Sequence, residues 1–232
     1  MIRKILTVVA GLTISAGMTW AGTLDTNPAD FPLLIDWCAN FGCTGATLAT
    51  PQTFTGAGGI SGLVGNNATG LPFTNLQQGN GWSGFFPAAM GLVYNGAQFN
   101  GVGDDIAVFF DEGVAGVGAY IEADFYTSFS YTMTTYDSRS LVLGVYGPLN
   151  DGAFNAPFIG AQDATADIWA VVFDAVGGGS FEPDFAIGTV GVNFAPAAPT
   201  PEPASMLLIA PALLGLAAFG RKRMMNSRRG NN

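Results

Sequence analysis

The chain contains no histidine, and its two cysteines and eight basic residues are few for 232 residues. Without histidine there is no Ser-His or Cys-His nucleophile and no imidazole metal ligand. Between residues 22 and 199 there is no lysine and one arginine, Arg139, against 16 carboxylates. That stretch has no lysine base, and its net charge of −15 repels nucleic-acid phosphates and anionic lipid headgroups. Nucleic acid is therefore not an expected partner. Charged residues are 11% of the chain and hydrophobic residues 49%, which excludes a highly charged disordered polymer. The 33 glycines and 13 prolines indicate many turns without reaching low-complexity levels.

The bases that are present gather at the two ends. Arg3 and Lys4 precede an apolar run from Ile5 to Ala16, and Thr19-Trp20-Ala21 supplies small residues at −3 and −1 of a cleavage site. Residues 1–21 thus read as a secretory signal peptide cut after Ala21, with Gly17 as an alternative site. An uncleaved anchor helix is the other reading, but the apolar run is short of the roughly 20 residues that spanning needs. Export leads to an oxidising compartment. Cys38 and Cys43, with four residues including Gly42 between them, are expected to form a structural disulfide that closes a small loop. The alternatives lack support: a zinc site needs more ligands, and a redox pair normally has C-x-x-C spacing.

At the other end three parts follow in order. Residues 196–203 form a spacer, Pro-Ala-Ala-Pro-Thr-Pro-Glu-Pro. Residues 204–220 carry no charge and as a helix would be about 26 Å long, with Pro211 in the middle. Residues 221–232 are a basic tail that begins Arg221-Lys222-Arg223 and continues to Arg228-Arg229. Such a segment reads as a single transmembrane helix with its tail on the cytoplasmic side and residues 22–195 outside.

The triple Pro201-Glu202-Pro203, apolar segment and Arg221-Lys222-Arg223 closely resembles the PEP-CTERM sorting signal of Gram-negative bacteria. The resemblance covers about thirty residues and is specific as an ordered set. Pro211 and the length of the basic tail depart from the usual pattern without changing the order. The resemblance implies recognition by an exosortase, processing near Pro-Glu-Pro, transient residence in the inner membrane, and delivery to the cell surface or the extracellular matrix. Signal peptidase and the secretion machinery are the other implied partners.

Residues 22–195 read as one all-β domain. Val117, Ala119, Ile121, Ala123 and Phe125 alternate with Gly118, Tyr120, Glu122 and Asp124, and Phe129, Tyr131 and Met133 alternate with polar residues. Ala186, Gly188, Val190, Val192 and Phe194 are expected to share one face of a further strand, and Ile168 to Phe173 to be a strand buried on both faces. Turns are expected at Tyr136–Ser140, where the Asp137 side chain can organise the chain, at Gly147–Gly152 and at Gly177–Ser180. Short helices are expected at Ala29–Trp37 and near Pro87–Leu92. Strands at this spacing indicate a β-sandwich or jelly roll. The strand pattern with Tyr136-Asp137 and Asp167 to Phe173 also resembles the jelly-roll-like passenger domains of PEP-CTERM proteins, which are often likened to carbohydrate-binding modules.

The chemistry expected of this domain is modest. Asp104, Asp105, Asp111, Glu112, Glu122 and Asp124 offer carboxylate pairs, as glycoside hydrolysis requires, but so many acids pair by chance. No Gly-x-Ser-x-Gly elbow is present. A non-enzymatic surface or matrix protein, structural or associated with exopolysaccharide in a biofilm, is the expectation. A carbohydrate-binding module is the first alternative and a secreted glycan hydrolase the second. No cofactor is expected, with calcium as the one ion to weigh: Asp104, Asp105, Asp163 and Asp167 are the candidate ligands, against a plain acidic surface. Trp82, in a Gly- and Asn-rich stretch, is the candidate sugar contact, against a core anchor. Asn67-Ala68-Thr69 fits a glycosylation sequon.

Overall fold

The computed structural model describes residues 22–66, 72–82, 84–95, 105–123, 129–150, 155–176 and 184–194. The expected signal peptide, Asn67, Asp104, the spacer, the sorting helix and the basic tail lie outside the described residues. Among the described residues no helix is long and apolar enough to cross a membrane.

Fifteen strands form among the described residues. They are β1 (Thr23–Asp25), β2 (Leu33–Ile35), β3 (Thr47–Leu48), β4 (Gln52–Thr55), β5 (Ser61–Asn66), β6 (Phe73–Gln78), β7 (Gly81–Trp82), β8 (Gly91–Tyr94), β9 (Ile106–Val114), β10 (Gly116–Ala123), β11 (Ser130–Tyr136), β12 (Val142–Asn150), β13 (Phe158–Gln162), β14 (Ile168–Val176) and β15 (Phe185–Asn193). One sheet runs β12-β11-β14-β9-β5-β4; the other runs β1-β13-β10-β15-β8-β6-β3, with β2 also on β15 and β7 on β6. Except for β6 and β7, the pairings are antiparallel. The two sheets share one buried cluster, to which Val117, Ala119 and Ile121 contribute from one sheet and Tyr131, Met133, Val171 and Phe173 from the other. The all-β, sandwich-like arrangement expected from the alternating patterns is present.

β11 keeps strict alternation, with Tyr131, Met133 and Thr135 buried. β15 does not. Ala119 pairs with Val190 while Ile121 pairs with Ile187, so β15 carries one extra residue across this step. A bulge of that kind shifts the side-chain phase by one. Phe185 and Ile187 therefore point into the main core together with Val190 and Val192, whereas Ala186 belongs to a second cluster. The expectation that residues 186, 188, 190 and 192 share a face is corrected by this bulge. The Gly188 carbonyl, inside the irregular segment, accepts a hydrogen bond from Trp37 Nε1 at 2.8 Å.

Both expected helices are also corrected. Pro32 disfavours a helix through Phe31, and residues 28–30 form only a 3₁₀ turn. The helix starts later, as α1 (Trp37–Phe41), where Asp36 Oδ1 accepts from Cys38 N at 2.8 Å and Gly42 closes the end at φ 87°. Residues 91–94 pair with β6 and β15 as β8. The expected loop at 147–152 is strand through Asn150; Pro148 is tolerated because β12 is an edge strand.

The sheet containing β10 packs against the other sheet on its inner face and is covered in part on its outer face, beside a groove of about 510 Å³ lined by Leu34, Met90, Tyr120 and Phe158. Its outer face carries glycines where other chain segments lie close. Phe31 is buried against Gly116, Gly160 and Gly191 on three neighbouring strands, and Phe158 packs over Gly118 and against the Tyr120 ring. Further along, Trp82, Phe86 and Leu92 form the second cluster.

Candidate functional site

The exposed face of the six-stranded sheet is different. Register places Leu63, Phe109, Ala170, Tyr136 and Val142 in one row across β5, β9, β14, β11 and β12. Of these, Phe109 is 44% exposed and Val142 57%; Val145, in the next row beside Thr134, is 63% exposed. Near the middle of this face lies a groove of about 390 Å³, floored by Ala170 and Val172 and walled by Phe109, Tyr136 and Trp169, with Ser138 and Ser140 at one end.

The sequence organises each wall. The pairing of β14 with β9 jumps from Ile168–Val114 to Ala170–Phe109, so β9 bulges opposite Trp169. The half-buried indole lies over that bulge, its Nε1 near Gly113, where a Cβ would come within 3.0 Å. At the other end the β11–β12 turn is held by Asp137. Its Oδ1 accepts from the backbone N–H groups of Arg139 and Leu141, both at 2.8 Å. Its Oδ2 accepts from Arg139 Nε at 2.9 Å and Nη2 at 2.7 Å. The hydrogen bond from Leu141, with those from Arg139 and its charge, lowers the Asp137 pKa below the usual carboxylate value; the Asp137 carboxylate raises that of Arg139. The turn is thus rigid, and it presents the exposed Ser138 and Ser140.

Of the residues singled out in the sequence, Cys38 and Cys43 are joined, with Cα atoms 4.6 Å apart, within the normal disulfide range. The pair flanks the C-cap of α1 at Gly42. Trp82 is corrected as a sugar contact. It is 5% exposed, packs edge-on against Phe86 and Tyr94, and donates Nε1 to Glu122 Oε2 at 3.0 Å. A ring enclosed in this way has no face left for a sugar. Glu122 also accepts from Phe85 N at 2.8 Å, so this acid fastens the 82–86 segment to the sheet.

Of the calcium candidates, Asp105, Asp163 and Asp167 are among the described residues, and they form no common ligand group. Asp163 is buried, and its Oδ1 accepts from Thr165 N at 2.7 Å and from Thr165 Oγ1. Asp163 N donates to Ala115 O at 2.6 Å, so Asp163 organises its own turn. Asp167 lies on the side of Arg139, whose pKa it helps to raise. Asp105 is half-buried at the start of β9. Among the described residues no group of three or more acidic, cysteine or histidine side chains could hold a metal ion. Asp111 Oδ2 accepts from Ser61 Oγ at 2.6 Å across β9 and β5.

Nothing in the sequence pattern singles out the Phe109–Tyr136–Trp169 groove. Trp169 looked like core because it stands in a continuous apolar run; only the bulge opposite it brings the indole to the surface. No family model matches the chain, and none of the curated proteins matches it. Comparison with solved structures finds a likeness to the enzymatically active domain of tailspike protein 4 of bacteriophage CBA120. It has 12% identity and a TM-score of 0.25 and covers 72% of this chain and 20% of that one. A likeness of this degree carries no inference about fold or activity.

Proposed function

We propose that the protein is a non-enzymatic, exported surface or matrix protein of a Gram-negative bacterium. Its jelly-roll-like passenger, residues 22–195, is delivered by a PEP-CTERM signal and processed by an exosortase. The observation that carries this reading is the ordered triple at the C-terminal end: Pro201-Glu202-Pro203, an uncharged stretch of 17 residues, and Arg221-Lys222-Arg223. The three parts give a recognition motif, a membrane stop and a cytoplasmic charge anchor, in the order that sorting requires. The apolar run at residues 5–16 provides the entry signal, and the cysteine pair suits an oxidising destination. Two packed sheets with a −15 surface suit a soluble passenger outside the cell. An exopolysaccharide-associated role follows from the same reading.

The test compares the full chain with a variant in which Pro201, Glu202 and Pro203 are all replaced by alanine, expressed in a host with and without its exosortase. Intact mass of the surface fraction should show loss of the residues after about Pro203, dependent on both motif and enzyme. Surface protein that keeps Arg221 to Asn232 would defeat the reading.

A further inference from the structure

We propose that the groove on the exposed face of the six-stranded sheet binds uncharged hexopyranose units of a polysaccharide, with Trp169 as the stacking platform and Phe109 and Tyr136 as its walls. This deepens the exopolysaccharide association above and rests on it for its setting.

Three observations select this occupant. The groove of about 390 Å³ lies within the range of small-ligand sites, and four aromatic residues line it, of which Phe110 belongs to the core and Phe109, Tyr136 and Trp169 are the more exposed. Aromatic faces are electron-rich and favour the weakly positive C–H groups on the flat side of a pyranose ring. Hydroxyl partners for the sugar's edge are at hand in Ser138 and Ser140, on a turn that Asp137 holds still.

Charge excludes anionic occupants. Residues 22–199 carry 16 carboxylates and one base, so an anionic polymer is repelled. That one base, Arg139, is already engaged by Asp137. A second copy of the chain would bring two bodies of charge −15 into contact and is disfavoured on the same ground. The one carboxylate in the groove lining is Asp137, and both its oxygens accept hydrogen bonds from its own turn. The two-carboxylate arrangement of a glycosidase is not assembled by the groove's lining residues, so the site holds a glycan without cleaving it.

The full chain, purified in mild detergent, is run in native gels containing a β-glucan, an α-glucan, a mannan, a galactan or, as the anionic probe, alginate. At least one neutral polymer should retard it. Trp169→Ala should weaken that retardation about tenfold. Trp169→Phe should retain most of it, and the double exposed-hydroxyl variant Ser138→Ala/Ser140→Ala should weaken it without disturbing the fold. Phe85→Ala, an exposed aromatic elsewhere, should behave as wild type. The proposal is overturned if no neutral polymer retards the chain, if alginate alone does, or if the Trp169 and serine variants are retarded like wild type. Sedimentation of a dimer that Phe109→Asp dissociates would give the face to a second copy and also overturn it. The sorting experiment reads mass and location, so failure of binding and failure of sorting are separately visible.

Discussion

The glycine cradle under Phe31 makes a quantitative prediction. Phe31 is 1% exposed, so Phe31→Ala should cost about 3–5 kcal/mol, the usual range for a buried phenylalanine. A Cβ at Gly160 would stand 2.7 Å from Phe31 Cζ and 2.9 Å from Cε2, with Asp25 O at 3.1 Å. The ring is packed and cannot retreat freely, so Gly160→Ala should cost about 1–3 kcal/mol by overpacking. Once Phe31 is truncated, the two ring contacts vanish. Gly160→Ala should then be close to neutral, helped by the smaller unfolded-state entropy of alanine. The double variant should therefore lose about 1–3 kcal/mol less than the sum of the singles, well above the ~0.5 kcal/mol scatter of independent sites. Gly191 supplies the control. A Cβ there would meet Phe31 Cβ at 2.7 Å and Phe31 O at 3.0 Å, atoms that alanine keeps, so Gly191→Ala should add to Phe31→Ala without relief. Urea unfolding followed by tryptophan fluorescence measures all five variants. Additivity at Gly160 would refute the claim that this glycine exists to admit the ring.

Two further predictions concern charge. The Asp137 pKa is lowered in the fold, so its stabilising effect is complete above the unfolded value near 3.9 and is lost as pH falls through the folded value. The Tyr146 pKa is raised, by burial first and by the charge of Asp163, so Tyr146 opposes the fold as pH rises above its unfolded value near 10. A melting profile should accordingly lose its acid limb in part in Asp137→Asn and its alkaline limb in part in Tyr146→Phe; unchanged limbs in both would contradict these assignments. Melting temperature should also rise alike in NaCl, MgCl2 and CaCl2 at matched ionic strength, because salt screens carboxylate repulsion beyond about 8–10 Å. A rise confined to calcium, abolished by Asp104→Asn or Asp167→Asn, would restore a specific site.

Period-two alternation was enough to place β11 and the inner face of β10, because each residue there keeps its phase. It failed wherever an extra residue enters one strand. The phase of β15 flips between Ile187 and Val190, and the bulge in β9 lifts Trp169 out of what looks like a core run. The Gly- and Asn-rich stretch around Trp82 gives no sign of burial, yet Glu122, 40 residues away, takes its Nε1–H and Tyr94 packs against its ring. A signal bearing on β15 and Trp169 lies in the glycines inside strands: Gly113, Gly118, Gly160, Gly188 and Gly191. Glycine weakens a strand unless something must approach it closely, and each of these five has a bulky side chain or another backbone against it. Asp137 was legible because its partners are two to four residues away.

The two sheets bury one core between them but treat their outer faces in opposite ways. The β10 sheet spends glycines on its outer side so that Phe31, Phe158 and Phe86 can pack close to it, and these side chains cover part of that face beside a groove of about 510 Å³ lined by Leu34, Met90 and Tyr120. The β14 sheet keeps Phe109, Tyr136 and Val145 on its outer side and has a bulge that adds Trp169. Exposing those groups to water is unfavourable by about 25 cal/mol per Å², and polar residues at the same positions would preserve the strand pairing. An apolar patch retained on one face, beside a turn locked by a five-residue hydrogen-bonded segment from Asp137 to Leu141, is the arrangement expected where contact with another molecule offsets that cost. The acidic rest of the body then acts as a filter that turns away anionic partners.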